Sequence, residues 1–388
     1  MMDRWEREME NNPLKPLNSI LVKPAGPDCN MACTYCFYNE KTKLFPGTKN
    51  HRMSGEILEV MIRQLMEQSG RQVSITWQGG EPTLMGLPFF EKAVELQQVY
   101  GHGQNVGNGL QTNGILINKA WADFLGRYKF LVGLSIDGPQ RIHDRYRRLK
   151  GGSGSWTKVL DSARLLLDKG VAVNAISVVN NYSVEFPEEI YAFHKSEGLY
   201  HMQFIPCVET DPKDPQKAAP FSVSAQKYGT FLCRLFDLWM SDFVSGLPTT
   251  SIRFIDSIIS RHMGIDPPEC SQLKTCGVYV VVEHNGDVYA CDFFVEPQWK
   301  LGNIREDRLL DMLNSDKQRK FGRAKSTLPG VCRRCKWLKN CYGGCVKDRI
   351  RDPRDENLNH FCLSFKMFYE YADGPLRKLA EKWRKQQP

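Results

Sequence analysis

The sequence predicts an α/β fold: a partial barrel of six β/α units, then a small cysteine-rich region and a C-terminal helix. Three observations predict it. Short apolar runs alternate with amphipathic stretches through roughly the first 210 residues, the pattern of a parallel sheet with helices outside. Polar, glycine-bearing loops follow these runs, where parallel β/α folds gather their chemistry. Eleven of the thirteen cysteines crowd two places, one just after the first run and the other from Cys270 onward.

The runs at residues 19–23, 73–78, 109–112, 130–135, 171–179 and 201–205 read as strands. Apolar residues at helical spacing fall near residues 55–68, 88–100, 119–127, 156–168 and 185–196. Crossovers of this type are right-handed, so six units curl into an open, partial barrel. Residues 209–220 are rich in Asp, Pro and Lys and read as a loop. A helix follows over 225–244, its stripe of Phe231, Leu232, Leu235, Phe236 and Trp239 reading as core. Residues 278–289 read as a hairpin, with Asn285-Gly286 as the tight turn. The last helix covers 364–385. The expected division is an extension at 1–17, the barrel at 18–250 with a helical linker from about 221, a cysteine-rich domain at 251–365, and a C-terminal helix at 366–388.

Composition bounds the class. With 41% hydrophobic and 25% charged residues, the chain is an ordinary soluble globular protein. No apolar run approaches the ~18–20 residues of a membrane span. The polar N-terminus, Met1-Met2-Asp3-Arg4-Trp5, lacks a signal-peptide core. The expectation is a cytoplasmic protein without a membrane partner. Thirteen cysteines in that setting argue for metal rather than disulfides. The net charge of +8 raises the question of nucleic acid. Eleven thiolates on three clusters would lower it to roughly +3, so no nucleic-acid partner is expected. Basic runs such as Arg145-Tyr146-Arg147-Arg148 then read as a solvated face or an anion contact.

Cys29, Cys33 and Cys36 form a CxxxCxxC run directly after the first strand. Three thiolates can hold three irons of a [4Fe–4S] cube and leave the fourth open to a ligand. A structural zinc site wants a fourth ligand, and no histidine is near in sequence. This run, with Tyr35 before its last cysteine, is paired with Gly79-Gly80-Glu81-Pro82 after the second strand. Together they resemble the radical S-adenosylmethionine (SAM) enzymes. The resemblance implies that SAM binds the open iron and yields a 5′-deoxyadenosyl radical. It implies SAM contacts at Gln78, Gly79, Gly80, Glu81 and Pro82, with the amino group held by this loop. Ser135 would hold the ribose, Arg147 the carboxylate, and Tyr35 would lie against the adenine.

From Cys270 onward eight cysteines follow: Cys270, Cys276, Cys291, Cys332, Cys335, Cys341, Cys345 and Cys362. Sets of four thiolates serve zinc and iron–sulfur clusters alike, so spacing leaves both open. The pattern resembles the SPASM extension of peptide-modifying radical SAM enzymes, which implies two auxiliary [4Fe–4S] clusters and three in all. Cys270, Cys276, Cys291 and Cys345 would ligate the first, and Cys332, Cys335, Cys341 and Cys362 the second. Cys233 reads as core, and Cys207 as a border of the site.

The whole chain, from Leu21-Val22-Lys23-Pro24-Ala25 to Cys362, resembles the anaerobic sulfatase-maturating enzymes. Gln78-Gly79-Gly80-Glu81-Pro82-Thr83-Leu84, Leu110-Gln111-Thr112-Asn113-Gly114 and Cys291-Asp292-Phe293 carry that likeness. It implies oxidation of a Cys or Ser in a sulfatase peptide to Cα-formylglycine. The radical would remove a Cβ hydrogen, and Asp292 would take the thiol or hydroxyl proton as general base. The electron would pass to the adjacent auxiliary cluster, and water would complete the conversion of a thioaldehyde. The implied partners are an unfolded or nascent sulfatase peptide of the Cys/Ser-x-Pro-x-Arg type and a reducing donor such as flavodoxin or ferredoxin. Val208 departs from the family, standing where a relative has a larger apolar residue beside SAM. The alternatives are another SPASM peptide maturase, such as one forming thioether crosslinks, and a non-enzymatic metal-cluster protein. The short extension before the first strand favours the sulfatase reading over maturases with a leader-binding domain.

Overall fold

The structure, a computed structural model, describes residues 14–386. Most of the expected 1–17 extension lies outside the described residues. Strands β1 (Ser19–Lys23), β2 (Gln72–Trp77), β3 (Asn105–Thr112), β4 (Leu131–Ser135), β5 (Ala172–Val179) and β6 (His201–Pro206) alternate with helices Gly55–Gln68, Leu87–Tyr100, Lys119–Arg127, Trp156–Asp168 and Pro187–Ser196. Each β1–β6 neighbour pair is parallel. The sheet does not close, as a partial barrel requires.

Two short hairpins follow: β7 (Thr210–Asp211) with β8 (Asp214–Ala218), and β9 (Phe243–Val244) with β10 (Leu247–Pro248). The first occupies part of the segment expected as loop. Its turn is held by side chains, with Asp211 accepting from Lys213 N and Asp214 from Gln216 N. No apolar alternation marks it, so periodicity could not reveal it. Strand β11 (Ser251–Ile252) adds to β6.

At the other edge, β12 (Val280–Glu283) pairs parallel with β1. It turns at Asn285-Gly286, where Gly286 adopts φ +84°, into β13 (Asp287–Tyr289) and then β14 (Lys300–Asn303). One ten-stranded sheet therefore runs through both the barrel and the cysteine-rich region. β1, with its β-branched Ile20 and Val22 buried, lies inside that sheet between β2 and β12.

The main core lies between sheet and helices. Ile20, Val22, Ile75, Trp77, Val132 and Leu134 pack there against Leu58, Met61, Phe90 and Leu125. Each fully buried side chain of this size contributes about 1.5–3 kcal/mol. A second core joins helix Ala225–Ser241 to the final helix, Cys362–Arg384. Phe368, Tyr369, Ala372, Leu376 and Ala380 form the buried stripe of that helix, which continues through Pro375. Among the described residues, no helix is long and apolar enough to cross a membrane.

Candidate active site

The site begins where β1 ends. Gly26 adopts φ +51°, and an added Cβ would lie 2.7 Å from His284 Nδ1, so only glycine fits this turn. The loop beyond carries Cys29, Cys33 and Cys36, all half-buried. It is pinned to the segment before Leu149, with Ala32 N donating to Arg148 O (2.8 Å) and Thr34 N to Tyr146 O (3.1 Å). Met31 N and Asn113 Nδ2 approach Cys29 Sγ at 3.4 and 3.6 Å. Burial, then the Glu81 charge, pushes the Cys29 thiol up to about 12. A thiol so placed ionises only with a compensating cation.

The β2 loop is stitched to this one. Gly80 N donates to Gly26 O (2.8 Å), and Glu81 N to Asp28 O (2.7 Å). A Cβ on Gly80 would lie 2.0 Å from Asp28 O, and Gly79 adopts φ +128°. Among the described residues, the carbonyl oxygens of Gln78, Gly79 and Gly80 accept no hydrogen bond. They suit a cationic amino group. The Glu81 side chain is 1% exposed and turned inward. Its carboxylate accepts from Thr83 N, Thr83 Oγ1, Thr112 Oγ1 and Asn113 N at 2.6–3.0 Å. It braces the β2 loop against the β3 loop, and its own N–H and C=O are taken by Asp28 O and Leu84 N. Pro82 is buried at the start of the turn Pro82–Met85.

The β4 loop supplies the anion contacts. Ser135, the last residue of β4, has a hydroxyl without a partner among the described residues. Two residues on, buried Asp137 accepts from Tyr35 Oη at 2.5 Å and from Val178 N at 3.0 Å. Arg147 Nη1 donates to the same Tyr35 oxygen at 3.1 Å, while its buried Nε has no partner. Burial opposes the guanidinium charge, but Tyr35, Cys33 and Asp137 hold its pKa well above the ordinary value. An orphaned donor on a buried cation fits a carboxylate. Arg147 reaches this place because helix Gln140–Tyr146, unrecognised in the sequence, ends just before it. Val208 follows Cys207 just beyond β6. It is fully buried in the second core, and its carbonyl accepts from Lys347 Nζ at 2.7 Å.

The remaining cysteines fall into two groups. Cys270, Cys276, Cys291 and Cys345 act on one another's ionisation. Cys332, Cys335, Cys341 and Cys362 line one pocket. Between the groups the chain passes through three consecutive left-handed residues, Tyr342, Gly343 and Gly344. Buried Lys325 and Arg349 thread among these thiols. Lys325 Nζ donates to Ser271 O (2.5 Å) and Gly344 O (2.9 Å), and Arg349 Nε to Gly343 O (3.0 Å). Neither forms an ion pair with a carboxylate among the described residues; cysteines face both, and Asp348 also faces Lys325.

Among the described residues, no three cysteine sulfurs lie within 4.8 Å of one another; only Asp352, Asp355 and His360 make so tight a set. Two sets of four thiols with buried cations among them are a donor chemistry that suits thiolate-bound clusters.

Asp292 opens the short turn after Cys291 and is 8% exposed. Its Oδ1 accepts from Tyr279 Oη at 3.0 Å and lies 3.4 Å from Cys291 Sγ. Its Oδ2 takes no hydrogen bond among the described residues. Cys207 is buried at the end of β6, its thiol pushed up to about 12 by burial, and Cys233 is only half-buried. Sequence reasoning assigned no role to Asp137, Asn113 or Tyr279. Asp137 and Asn113 stood inside noted loops, but nothing in spacing pairs Asp137 with Tyr35.

The Radical SAM superfamily profile matches residues 24–193, and the SPASM iron-sulfur cluster-binding domain matches 270–336. A serine-type anaerobic sulfatase-maturating enzyme of Bacteroides thetaiotaomicron is 40% identical over 375 residues, 92% of this chain and 90% of that one. A cysteine-type enzyme of Clostridium perfringens is 38% identical over 360 residues, 92% of this chain and 96% of that one. A solved structure described as native anSMEcpe with bound AdoMet and Cp18Cys peptide superposes with a TM-score of 0.87 at 35% identity, covering 95% of this chain and 99% of that one. Three cysteine groups, a buried arginine with an orphaned Nε and these likenesses converge: the chain belongs to the anaerobic sulfatase-maturating enzymes, a family of radical SAM enzymes.

Proposed function

We propose that this enzyme oxidises a cysteine or serine of a sulfatase peptide to Cα-formylglycine, with Asp292 as the base. The observation that carries the role of Asp292 is its placement: a buried carboxylate adjoining ligand Cys291, one oxygen fixed by Tyr279 and the other open. When bound, SAM and the three [4Fe–4S] clusters supply hydrogen abstraction at Cβ and a path for the released electron.

The chain's own residues do the rest. The free carbonyls of Gln78, Gly79 and Gly80 would hold the SAM amino group, Arg147 Nε its carboxylate and Ser135 its ribose. Tyr35, locked between Asp137 and Arg147, would form the wall beside the adenine, and Val208 would contribute through packing alone. Asp292 Oδ2 receives the proton from the substrate thiol or hydroxyl, while Tyr279 keeps Oδ1 in place. Cys29, Cys33 and Cys36 would leave one iron open; Cys270, Cys276, Cys291 and Cys345, and Cys332, Cys335, Cys341 and Cys362, would close theirs. The division into a barrel at residues 18–250, a cysteine-rich domain at 251–365 and a C-terminal helix at 366–388 belongs to the same reading. A low-potential donor such as flavodoxin or ferredoxin and a cytoplasmic setting complete the reading, supported by thirteen cysteines without a disulfide.

The test is turnover. Reduced, reconstituted protein and SAM are incubated with Cys-x-Pro-x-Arg and Ser-x-Pro-x-Arg peptides. Mass spectrometry is expected to show formylglycine with stoichiometric 5′-deoxyadenosine. Deoxyadenosine without peptide change would overturn the substrate assignment.

A further inference from the structure

Lys23 ends β1 and is 1% exposed, one of the largest fully buried side chains of the protein. In the parallel β1–β12 pair it stands opposite Glu283. Glu283 nevertheless accepts from Tyr38 Oη, and no ion pair or hydrogen bond reaches Lys23 Nζ among the described residues. The ammonium lies 3.6 Å over the Tyr38 ring and 5.7 Å from that of Phe37. An added Cβ on Gly79 would come within 3.2 Å of Lys23 Cβ, so the β2 loop packs against its base.

A buried ammonium without an acceptor is costly unless anions surround it. Burial lowers the Lys23 pKa, and four anionic groups oppose this: Asp292, Glu283, Cys291 and Cys36. They come from both halves of the chain. Cys36 belongs to the open-iron loop, Cys291 to the first auxiliary group, and Asp292 to the site between. Glu283 and Asp292 accept hydrogen bonds from Tyr38 and Tyr279, and neither makes a direct ion pair with the lysine among the described residues.

We propose that Lys23 is a positioning residue for charge, its ammonium stabilising the electron taken up on the Cys291 side while Asp292 takes the proton. This rests on the roles of Cys291 and Asp292 proposed above. During turnover one proton moves to Asp292 and one electron to the auxiliary group, so negative charge shifts from the carboxylate to the cluster. A fixed cation facing both acts on the negative charge before and after that shift. The Phe37 ring beneath the ammonium packs 4.7 Å from Phe293, the residue after Asp292, so the lysine sits on the Cys291 side as well as beside the Cys36 loop. In a low-dielectric site a fixed positive charge raises the potential of a cluster it faces.

The test compares fully loaded wild type with K23M, K23Q and K23R. The midpoint potential of the auxiliary cluster is read by EPR-monitored redox titration without peptide. Loss of the charge in K23M and K23Q should shift it negative, and K23R should restore it. Peptide kcat should fall about tenfold in the neutral variants with deoxyadenosine formation retained. An unchanged potential in a neutral variant, or an equal shift in K23R, overturns the proposal. A neutral variant that folds but loses the Cys291-side cluster overturns it too, because the role would then be structural. The potential is measured without substrate, so it reports on Lys23 whether or not Asp292 proves to be the base.

Discussion

Tyr279 donates its hydroxyl hydrogen to Asp292 Oδ1 across 3.0 Å, which leaves Oδ2 as the open oxygen of a buried carboxylate. Asp292→Asn should lower peptide oxidation by about 10²–10⁴-fold, the usual contribution of a positioned base. Tyr279→Phe removes one hydrogen bond of about 1 kcal/mol and should lower kcat several-fold. Iron content and deoxyadenosine formation should survive both changes. Single-turnover peptide assays check this, and wild-type turnover in Asp292→Asn would remove the residue from the base role.

Gly80 admits no side chain, because an added Cβ meets Asp28 O at 2.0 Å. Gly80→Ala must therefore push the β2 loop away from the loop bearing Cys29. Iron is expected to fall from about twelve per chain toward eight, with SAM affinity lost. Gly55 provides the control, since open space surrounds its added Cβ at the start of a helix. Gly55→Ala should be neutral or gain up to about 1 kcal/mol. Iron assays and equilibrium dialysis with SAM distinguish the two.

The ring of Cys332, Cys335, Cys341 and Cys362 around one cavity predicts an independent loss. Cys341→Ser should lower iron by about four per chain. The EPR signal of the SAM-bound cluster should persist, whereas Cys29→Ser should abolish that signal alone. Loss of all iron in Cys341→Ser would show that the groups do not load separately.

His194 is fully buried, with Nε2 2.9 Å from Ser177 Oγ and Nδ1 unpartnered. Burial lowers its pKa to about 3. The unfolded chain binds this proton near pH 6.5 and the folded chain does not. The stability this neutral ring contributes is present above pH ~6.5 and is lost as pH falls, by about 1.4 kcal/mol per unit down to its folded pKa. His194→Gln should flatten the decline of melting temperature between pH 7 and pH 5. An unchanged slope would show that this ring is not the titrating group.

Much of this was legible in the sequence. β1 emerged at its true bounds because Ile20-Leu21-Val22 is a β-rich run with the cysteine loop behind it. The first half of β3 was not legible. Asn105-Val106-Gly107-Asn108 looks polar, yet Asn108 is buried, accepting from Trp77 Nε1 at 3.0 Å and donating to Gln97 at 2.9 Å. Glu81 stood in a noted motif, but its inward carboxylate depends on Thr112 and Asn113 from the next unit. Lys23, Lys325 and Arg349 were least legible. A cation in a sequence reads as surface, and only cysteines and, for Lys23, Asp292 and Glu283 brought from distant segments explain these interior ones.

Ile20, Leu21 and Val22 pair with β2 on one side and with β12 on the other. Those last partners leave the ribosome roughly 260 residues later, on the order of tens of seconds at ~5–20 residues per second. Through that interval the emerging chain carries an apolar strand with one edge unsatisfied, a template for mispairing with other chains. The loop of Cys29, Cys33 and Cys36 follows that strand directly, so the order of synthesis sets the cysteine loop beside the edge of β1 that is completed last.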